Sequence, residues 1–141
     1  MFYFTSDLHI NHVNILKPEY CDRPFENVNH MNKMLIENYN NVVKPGDTCF
    51  NLGDWFMGEK AKIPEFIEQF KVKPILILGN HDQGKPKEYI RKSGVIIFDS
   101  LTIDHDGYKI LLEHIPRYDL IECSEIGPNG IFKYQLCGHV H

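Results

Sequence analysis

Five short clusters of polar residues in this sequence carry side chains of the types that hold divalent metal ions. They are Asp7-Leu8-His9, Gly53-Asp54, Gly79-Asn80-His81-Asp82, His114 and Gly138-His139-Val140-His141. Their carboxylate, imidazole and amide groups are ligands of ions such as Mn, Fe, Zn or Ni. The clusters offer more ligands than one ion can take, and this excess indicates two ions that share a bridging carboxylate. A paired centre of this kind is suited to attack at phosphorus.

Each cluster stands directly after a segment with the pattern of a β-strand. These segments are residues 1–5, 48–52, 74–78, 108–112 and 134–137. In layered α/β folds, ligands bind in the crevice at the carboxyl ends of the strands, so clusters that are far apart in sequence can meet there. The glycines before Asp54, Asn80 and His139 allow tight turns and a close approach of the backbone. We therefore expect five strands to deliver their side chains to one point.

The remaining chain predicts helices and further strands. Apolar residues recur at helical spacing over residues 28–42 and 63–70, and residues 85–93 are compatible with a third, short helix. Residues 95–98 and 101–104 have the pattern of strands. The chain is therefore interpreted as an α/β protein.

The composition limits the possible classes of protein. The 141 residues are sufficient for one domain with a real core and too few for two comfortable ones. Hydrophobic residues make up 43%, which favours a folded chain. The net charge of -4 and the pI of about 6.0 give no electrostatic reason for tight binding to nucleic acid or membranes. The N-terminus lacks the pattern of a signal peptide and no apolar window reaches transmembrane length, so we expect a soluble cytoplasmic protein.

The clusters, taken in this order, resemble the motifs of the calcineurin-like metallophosphoesterase superfamily. The opening residues 6–15 and Arg23-Pro24-Phe25 are similar to the small single-domain members found in bacteria and phages. The resemblance implies an α/β fold, a metallophosphoesterase-like β-sandwich of two mixed sheets flanked by helices in four αββα layers. It also implies a single domain over residues 1–141. Family members continue beyond the Gly-His-x-His motif, so this domain is expected to lack their C-terminal strands.

The resemblance further implies two sets of metal ligands that share Asp54. The first set is Asp7, His9, Asp54 and His141. The second set is Asp54, Asn80, His114 and His139. Two divalent ions are the expected cofactors, with manganese favoured and iron, zinc or nickel as alternatives. The given chain ends on His141, so the first ion is expected to be held less securely than the second.

Other residues are candidates for catalysis and substrate binding. The family residue that matches His81 is catalytic, so His81 is expected to act as a general acid toward the leaving oxygen, or to stabilise the transition state as a cation. Asp82 could orient its imidazole, or could instead cap a turn or a helix. Arg23, His12 and Arg117 are candidate phosphate-binding residues, with a solvated loop position as the alternative for each.

The resulting hypothesis is a dinuclear-metal-dependent phosphoesterase that hydrolyses phosphodiesters or phosphomonoesters with a metal-bound hydroxide. Its expected partner is a small phosphoester substrate, nucleotides included; no membrane partner is expected, and the sequence has no strong signature of nucleic-acid binding. One alternative is a catalytically inactive phosphoesterase-like scaffold that binds a partner, and another is a structural site with one metal. The intact motifs favour the enzyme, because loss of catalysis usually breaks a motif. Other nucleophile classes lack support, since the sequence has no Gly-x-Ser-x-Gly elbow and no phosphate-cradling loop.

Overall fold

The structure is a computed structural model that describes residues 1–105, 108–117 and 134–139. Its first sheet is parallel and has the strand order β1-β2-β3-β4. The strands are β1 (Phe2–Thr5), β2 (Thr48–Asn51), β3 (Ile75–Ile77) and β4 (Ile97–Phe98). Phe4 pairs with Phe50 in the register, and Leu76 lies between Asn51 and Ile97. The carboxyl ends of these strands therefore point to the same edge of the sheet.

Three α-helices within the described residues connect these strands and cover one face of the first sheet. They are α1 (Val28–Val42), α2 (Ile63–Ile67) and α3 (Lys85–Lys92). The side chain of Asn27 caps α1 by accepting a hydrogen bond from the backbone amide of His30. One residue of each helix, Tyr39, Ile67 and Ile90, is buried in a single core cluster together with residues of the strands. This burial stabilises the helices more than their intrinsic propensity does. None of these helices is long and apolar enough to cross a membrane.

A second sheet packs on the opposite face of the first. It contains β5 (Leu101–His105), β6 (Tyr108–Leu112) and β7 (Tyr134–Leu136). Strands β5 and β6 are antiparallel, whereas β6 and β7 are parallel, so this sheet is mixed. Phe50, Ile77 and Leu112 are buried where the two sheets meet. Neighbouring residues of β2 thus face different layers, with Cys49 in the helical core and Phe50 between the sheets.

These layers confirm the α/β interpretation and the two sheets with flanking helices. They differ from the expected pair of mixed sheets, because the described strands of the first sheet are all parallel. Helices that connect neighbouring parallel strands in this order all lie on the same face. Within the described part of the chain the layers are therefore helices, sheet and sheet, and no helix covers the outer face of the second sheet.

The second predicted helix, over residues 63–70, is shorter in the structure because its last turn tightens. Helix α2 ends at Ile67, and the amide of Phe70 donates to the carbonyl of Ile67, three residues earlier (3.1 Å). Phe70 nevertheless remains buried against the rings of Tyr39 and Trp55. The apolar spacing thus identified the buried face correctly but not the end of the helix.

Candidate metal centre

The predicted ligand clusters lie together at the carboxyl ends of the strands. Each one follows its strand closely, after β1, β2, β3, β6 and β7. The backbone of the first cluster pairs with that of the second. The amide of His9 donates to the carbonyl of Asp54 (3.0 Å), and the amide of Asp7 donates to the carbonyl of Gly53 (2.9 Å). The amide of His139 donates to the carboxylate of Asp7 (3.1 Å), which is 132 positions away in sequence. The expectation that the clusters meet at one point therefore agrees with the structure.

Two groups of ligand atoms converge around Asp54. The first group is Asp7, His9 and Asp54, and the second is Asp54, His114 and His139. Within each group the ligand atoms lie within 4.8 Å of one another. The side-chain oxygen of Asn80 lies 3.0 Å from Nε2 of His114, which adds a ligand atom to the second group. Asp54 is only 2% exposed and belongs to both groups, as a bridging carboxylate must.

The surroundings of His114 prepare its imidazole to bind a cation. Its Nδ1 lies 2.7 Å from the carbonyl oxygen of Leu52, so Nδ1 carries a proton and donates it. Its Nε2 then faces two acceptors, Asn80 Oδ1 at 3.0 Å and Asp54 Oδ2 at 3.4 Å. Burial lowers the pKa of His114, but its hydrogen bonds to Asp54 and Leu52 outweigh burial and raise the pKa above its usual value. These atoms need a positive charge between them, and a divalent ion fits as well as a proton.

In the first group, His9 is a neutral imidazole. Burial has the largest effect and lowers the pKa of His9 to about 4, against the opposing influence of Asp54 and Asp7. Its Nε2 lies 3.7 Å from the carboxylate of Asp7 and 4.0 Å from that of Asp54. For Asp54, burial raises the pKa, but hydrogen bonds from His114 and from the backbone of His81 outweigh it and lower the pKa. A neutral imidazole beside ionised carboxylates is the protonation state that metal binding requires.

Four of the candidate ligands have a left-handed backbone, which residues with a side chain rarely adopt. The φ angles are 53° at Asp7, 49° at His9, 52° at Asp54 and 69° at His139. Residues in sparsely populated regions cost on the order of 1–3 kcal/mol each and persist only where the surrounding structure holds them. Such conformations cluster at functional sites. Their concentration at these strand ends supports the assignment of this edge as the site.

Two glycines permit the loops to approach one another so closely. A Cβ atom at Gly79 would collide with the carboxylate and the amide of Asp54. A Cβ atom at Gly138 would collide with the hydroxyl of Ser6 and the carboxylate of Asp7. The glycines before the ligands therefore allow the close approach that the sequence indicated.

A comparison with protein families gives this site its class. The family model described as calcineurin-like phosphoesterase matches residues 1–141. The chain belongs to the calcineurin-like phosphoesterase family. The resemblance seen in the motifs is therefore confirmed over the whole chain, and the ligand clusters at the strand ends lie within the matched region. Members of this family are phosphoester hydrolases that act on phosphoester substrates.

Relatives of this chain extend the comparison. The chain is 40% identical over 116 residues to the uncharacterized protein MJ1445 of Methanocaldococcus jannaschii. This alignment covers 81% of this chain and 58% of the relative. The chain thus spans little more than half of that relative's length. The fold of this chain is similar to that of the protein of unknown function AQ665 from Aquifex aeolicus, with a TM-score of 0.76 and 29% identity. The match covers 100% of this chain and 79% of the AQ665 chain. The fold is also similar to that of a novel archaeal phosphodiesterase, with a TM-score of 0.58 and 22% identity. This match covers 99% of this chain and 73% of the phosphodiesterase chain, and it shows similarity of fold alone.

His81 lies at the exposed edge of the ligand groups. Its side chain is 43% exposed, and its Nε2 lies 3.8 Å from Oδ2 of Asp54. Its backbone amide donates to the other carboxylate oxygen of Asp54 (2.9 Å). The ring lies edge-on to that of His9, with centroids 5.8 Å apart. His81 is therefore adjacent to both groups and open to a substrate.

In the part of the chain that the structure describes, the contacts of Asp82 are with backbone N–H groups and not with the imidazole of His81. Its carboxylate is fully buried and accepts the backbone N–H groups of Asp54 (2.7 Å), Gly79 (2.9 Å) and Trp55 (3.1 Å). No contact among the described residues joins it to the ring of His81, so the idea that Asp82 orients His81 is corrected. The alternative of a turn-capping residue fits, because the carboxylate ties the loop after β2 to the loop after β3.

Arg23 has a structural contact that the sequence did not indicate. Its two terminal nitrogens donate to the backbone carbonyls of Asp7 (2.7 Å) and Leu8 (2.8 Å). These bonds use two of the five N–H donors of a guanidinium group, so contact of Arg23 with a phosphate stays a prediction. The geometry favours a role in holding the first ligand loop.

The remaining predicted residues lie at the rim or outside the described ranges. The ring of His12 lies 5.6 Å from that of His9, and burial lowers the pKa of His12. Arg117 lines a cavity together with His114. Contact of His12 and Arg117 with a substrate stays a prediction. His141, the fourth predicted ligand of the first ion, lies outside the described residues.

Two buried asparagines support the site without having been expected from the sequence. The side-chain oxygen of Asn51 accepts a hydrogen bond from the amide of Gly53 (3.0 Å), and both residues are buried. The side-chain oxygen of Asn32 accepts one from the amide of Asn11 (2.8 Å). Asn51 gives a usable signal, because a polar residue at the end of an apolar strand needs a local partner. Asn32 gives none, since it stands among other polar residues of α1.

Proposed function

We propose that this chain is a dinuclear-metal-dependent phosphoesterase that hydrolyses small phosphodiesters or phosphomonoesters. One observation carries the proposal: two groups of ligand atoms share the buried carboxylate of Asp54. Each group has the ligand types of one divalent site, so Asp54 would bridge two ions. Family membership supports the reaction class, and the shared carboxylate supports the number of ions.

The ligand set supports a choice of metal. The first ion would be held by Asp7, His9 and Asp54, with His141 as a further predicted ligand. The second would be held by Asp54, Asn80, His114 and His139. Bound there, the two ions would act as Lewis acids toward phosphoryl oxygens and would acidify a water for attack. Oxygen and nitrogen ligands accept manganese, iron, zinc and nickel. Manganese is the proposed metal, and the other three are the alternatives.

His81 is proposed to hold a proton on Nε2 and to deliver it to the leaving oxygen. Its imidazole is exposed beside the shared carboxylate, so a substrate can reach it without displacing a ligand. Its backbone amide is bonded to Asp54, which fixes the position of its backbone relative to the ligand groups. A general acid in such a position contributes about 10²- to 10⁴-fold to the rate.

Small phosphoesters, nucleotides included, are the proposed substrates. The solved archaeal structure of similar fold is titled a phosphodiesterase, which makes diesters the first substrates to test. The net charge of -4 gives no attraction for a long polyanion. Positive charge from bound ions would still attract a compact phosphoester to the site.

Hydrolysis of aryl phosphate esters tests this proposal. Chelator-treated protein should be inactive, and added Mn²⁺ should restore turnover of bis(4-nitrophenyl) phosphate or of 4-nitrophenyl phosphate. His81→Ala should retain bound metal and lose about 10²- to 10⁴-fold in rate on a phenyl ester. The loss should be smaller on a 4-nitrophenyl ester, because that phenolate leaves without protonation.

His30→Ala is the matched control, since the His30 side chain is 38% exposed and lies on α1 outside the site. It should leave the rate unchanged. If the native chain binds two ions and turns over neither ester with any of the four metals, the result supports the inactive binding scaffold instead.

A further inference from the structure

A cavity beside His81 has no role in the function proposed so far. Its volume is about 170 Å³, and His81 forms part of its wall. The rest of the wall includes Phe56, Met57, Lys60, Ile63 and Pro86. A cavity of about 150 Å³ holds one benzene ring, whereas sites for drug-sized ligands have about 300–1,000 Å³. The cavity is therefore large enough for one ring and too small for a nucleotide.

The position of His81 decides which part of a substrate would occupy this cavity. His81 belongs to both places, because the residue lines the cavity while its Nε2 lies 3.8 Å from the carboxylate of Asp54. A group bound in the cavity thus lies on the side of the ligand groups where His81 stands. The proposed function puts the leaving oxygen next to His81. The cavity is accordingly on the side of the leaving group.

Lys60 and the apolar part of the wall define the chemistry that the cavity accepts. Phe56, Ile63 and Pro86 are buried and form the apolar part of the wall, against which a flat ring can pack, while Lys60 and His81 make part of the wall polar. Within the described part of the chain Lys60 has no ion pair, whereas Lys62, two residues later, pairs with Glu59 (3.0 Å). An ammonium group without a protein partner at the wall of such a cavity favours a ligand with a negative charge.

We propose that this cavity is a leaving-group subsite for phosphodiesters whose leaving alcohol is a single aromatic ring with an anionic substituent. The inference rests on the proposed function, because it takes His81 as the residue beside the leaving oxygen. In the reaction one water is consumed: its oxygen forms a bond to phosphorus, and the bond from phosphorus to the ring oxygen breaks. The released ring oxygen takes a proton from His81 and becomes a hydroxyl, and a proton from the attacking water replaces the one that His81 gave.

Two matched diesters test the subsite. Methyl 4-carboxyphenyl phosphate and methyl 4-carbamoylphenyl phosphate have leaving groups of similar size that differ by one negative charge. The native chain should show a KM about fivefold lower for the carboxyphenyl ester, the equivalent of about 1 kcal/mol for an exposed ion pair. Lys60→Glu should abolish or reverse this preference. Lys62→Glu makes the same change of charge two residues away and should retain the preference.

A binding measurement gives a second readout. 4-Hydroxybenzoate, titrated into the metal-loaded protein, should shift the amide NMR signals of residues 57–60 in the native chain and in Lys62→Glu, but not in Lys60→Glu. Turnover of both esters with equal KM, together with no shift at these residues, overturns the subsite and leaves the proposed function intact. If the 4-nitrophenyl esters are hydrolysed and neither matched diester is, the subsite is overturned and the proposed function stands. If none of these esters is hydrolysed, the proposed function fails, and absence of the shift at residues 57–60 then also overturns selection of an anionic ring by the cavity.

Discussion

The ligand loops at the strand ends are held by two side chains of opposite charge in different surroundings. In the interior, the carboxylate of Asp82 accepts three backbone N–H groups from the loops after β2 and β3. At the rim, the guanidinium of Arg23 donates to the carbonyls of Asp7 and Leu8. Asp82 is fully buried, whereas Arg23 is partly exposed. Neither is a predicted ligand, yet each fixes a loop that carries ligands.

The difference in burial determines what happens when either side chain is removed. Buried N–H groups that lose their acceptor cannot bond to water, so their desolvation is left uncompensated. Carbonyl groups near the surface can exchange a lost donor for a water molecule. The interior contact should therefore matter most for the stability of the fold, and the rim contact for the local order of the first ligand group.

Replacement of Asp82 by alanine should have the largest effect. Three buried N–H groups would lose their acceptor at about 1–3 kcal/mol each, so the free energy of unfolding should fall by roughly 3 kcal/mol or more. Urea denaturation in the presence of a chelator measures this loss without a contribution from bound metal. The control is Asp99→Ala, since the side chain of Asp99 is 85% exposed, and it should change stability by no more than about 0.5 kcal/mol.

The variant Asp82→Asn sharpens the comparison. It retains the size of the side chain but has only one acceptor oxygen. In the native chain the three backbone N–H groups are shared between both carboxylate oxygens of Asp82. Its loss of stability should fall between those of the native chain and Asp82→Ala. Native-like stability of Asp82→Ala would break the comparison, because it would mean that the three N–H groups find other partners.

Arg23→Ala should have a smaller effect on the free energy of unfolding, about 1–2 kcal/mol, because water can replace part of the lost hydrogen bonding. The first ion should also bind more weakly, since the loop that carries Asp7 and His9 loses its clamp. Urea denaturation and calorimetric titration with Mn²⁺ measure these two changes. Arg91→Ala, an exposed position on α3, is the matched control. Unchanged stability with a raised KM would show that Arg23 binds phosphate, as the sequence suggested.

The sequence was sufficient to find the candidate ligands because metal binding restricts the type of residue. Asp7 and Asp54 stand out as carboxylates directly after apolar strands, and glycine spacing marks where loops approach. The contacts of Asp82 and Arg23 are different in kind. Their partners are backbone N–H and C=O groups, which every residue type supplies, so no sequence pattern indicates them. Only the folded arrangement of the loops shows that these two side chains hold the site together.

The same distinction applies to the fold. Helix α1 was predicted over residues 28–42 and has the same bounds in the structure, because its apolar spacing and its cap at Asn27 are local signals. The end of α2 depends on how Phe70 packs against the core, and the order of the strands in the first sheet depends on contacts between distant segments. Such non-local contacts are not recorded in the spacing of residues.

The central claim is that Asp54 bridges two metal ions. Anomalous diffraction from crystals of this chain soaked in Mn²⁺ tests it most directly. The account predicts two manganese peaks about 3.5–4 Å apart, one in each ligand group and both bound to the carboxylate of Asp54. It further predicts that Asp54→Ala crystals lose this pair. A single peak at saturating Mn²⁺ in the native chain, or two peaks that do not share Asp54, would contradict the account.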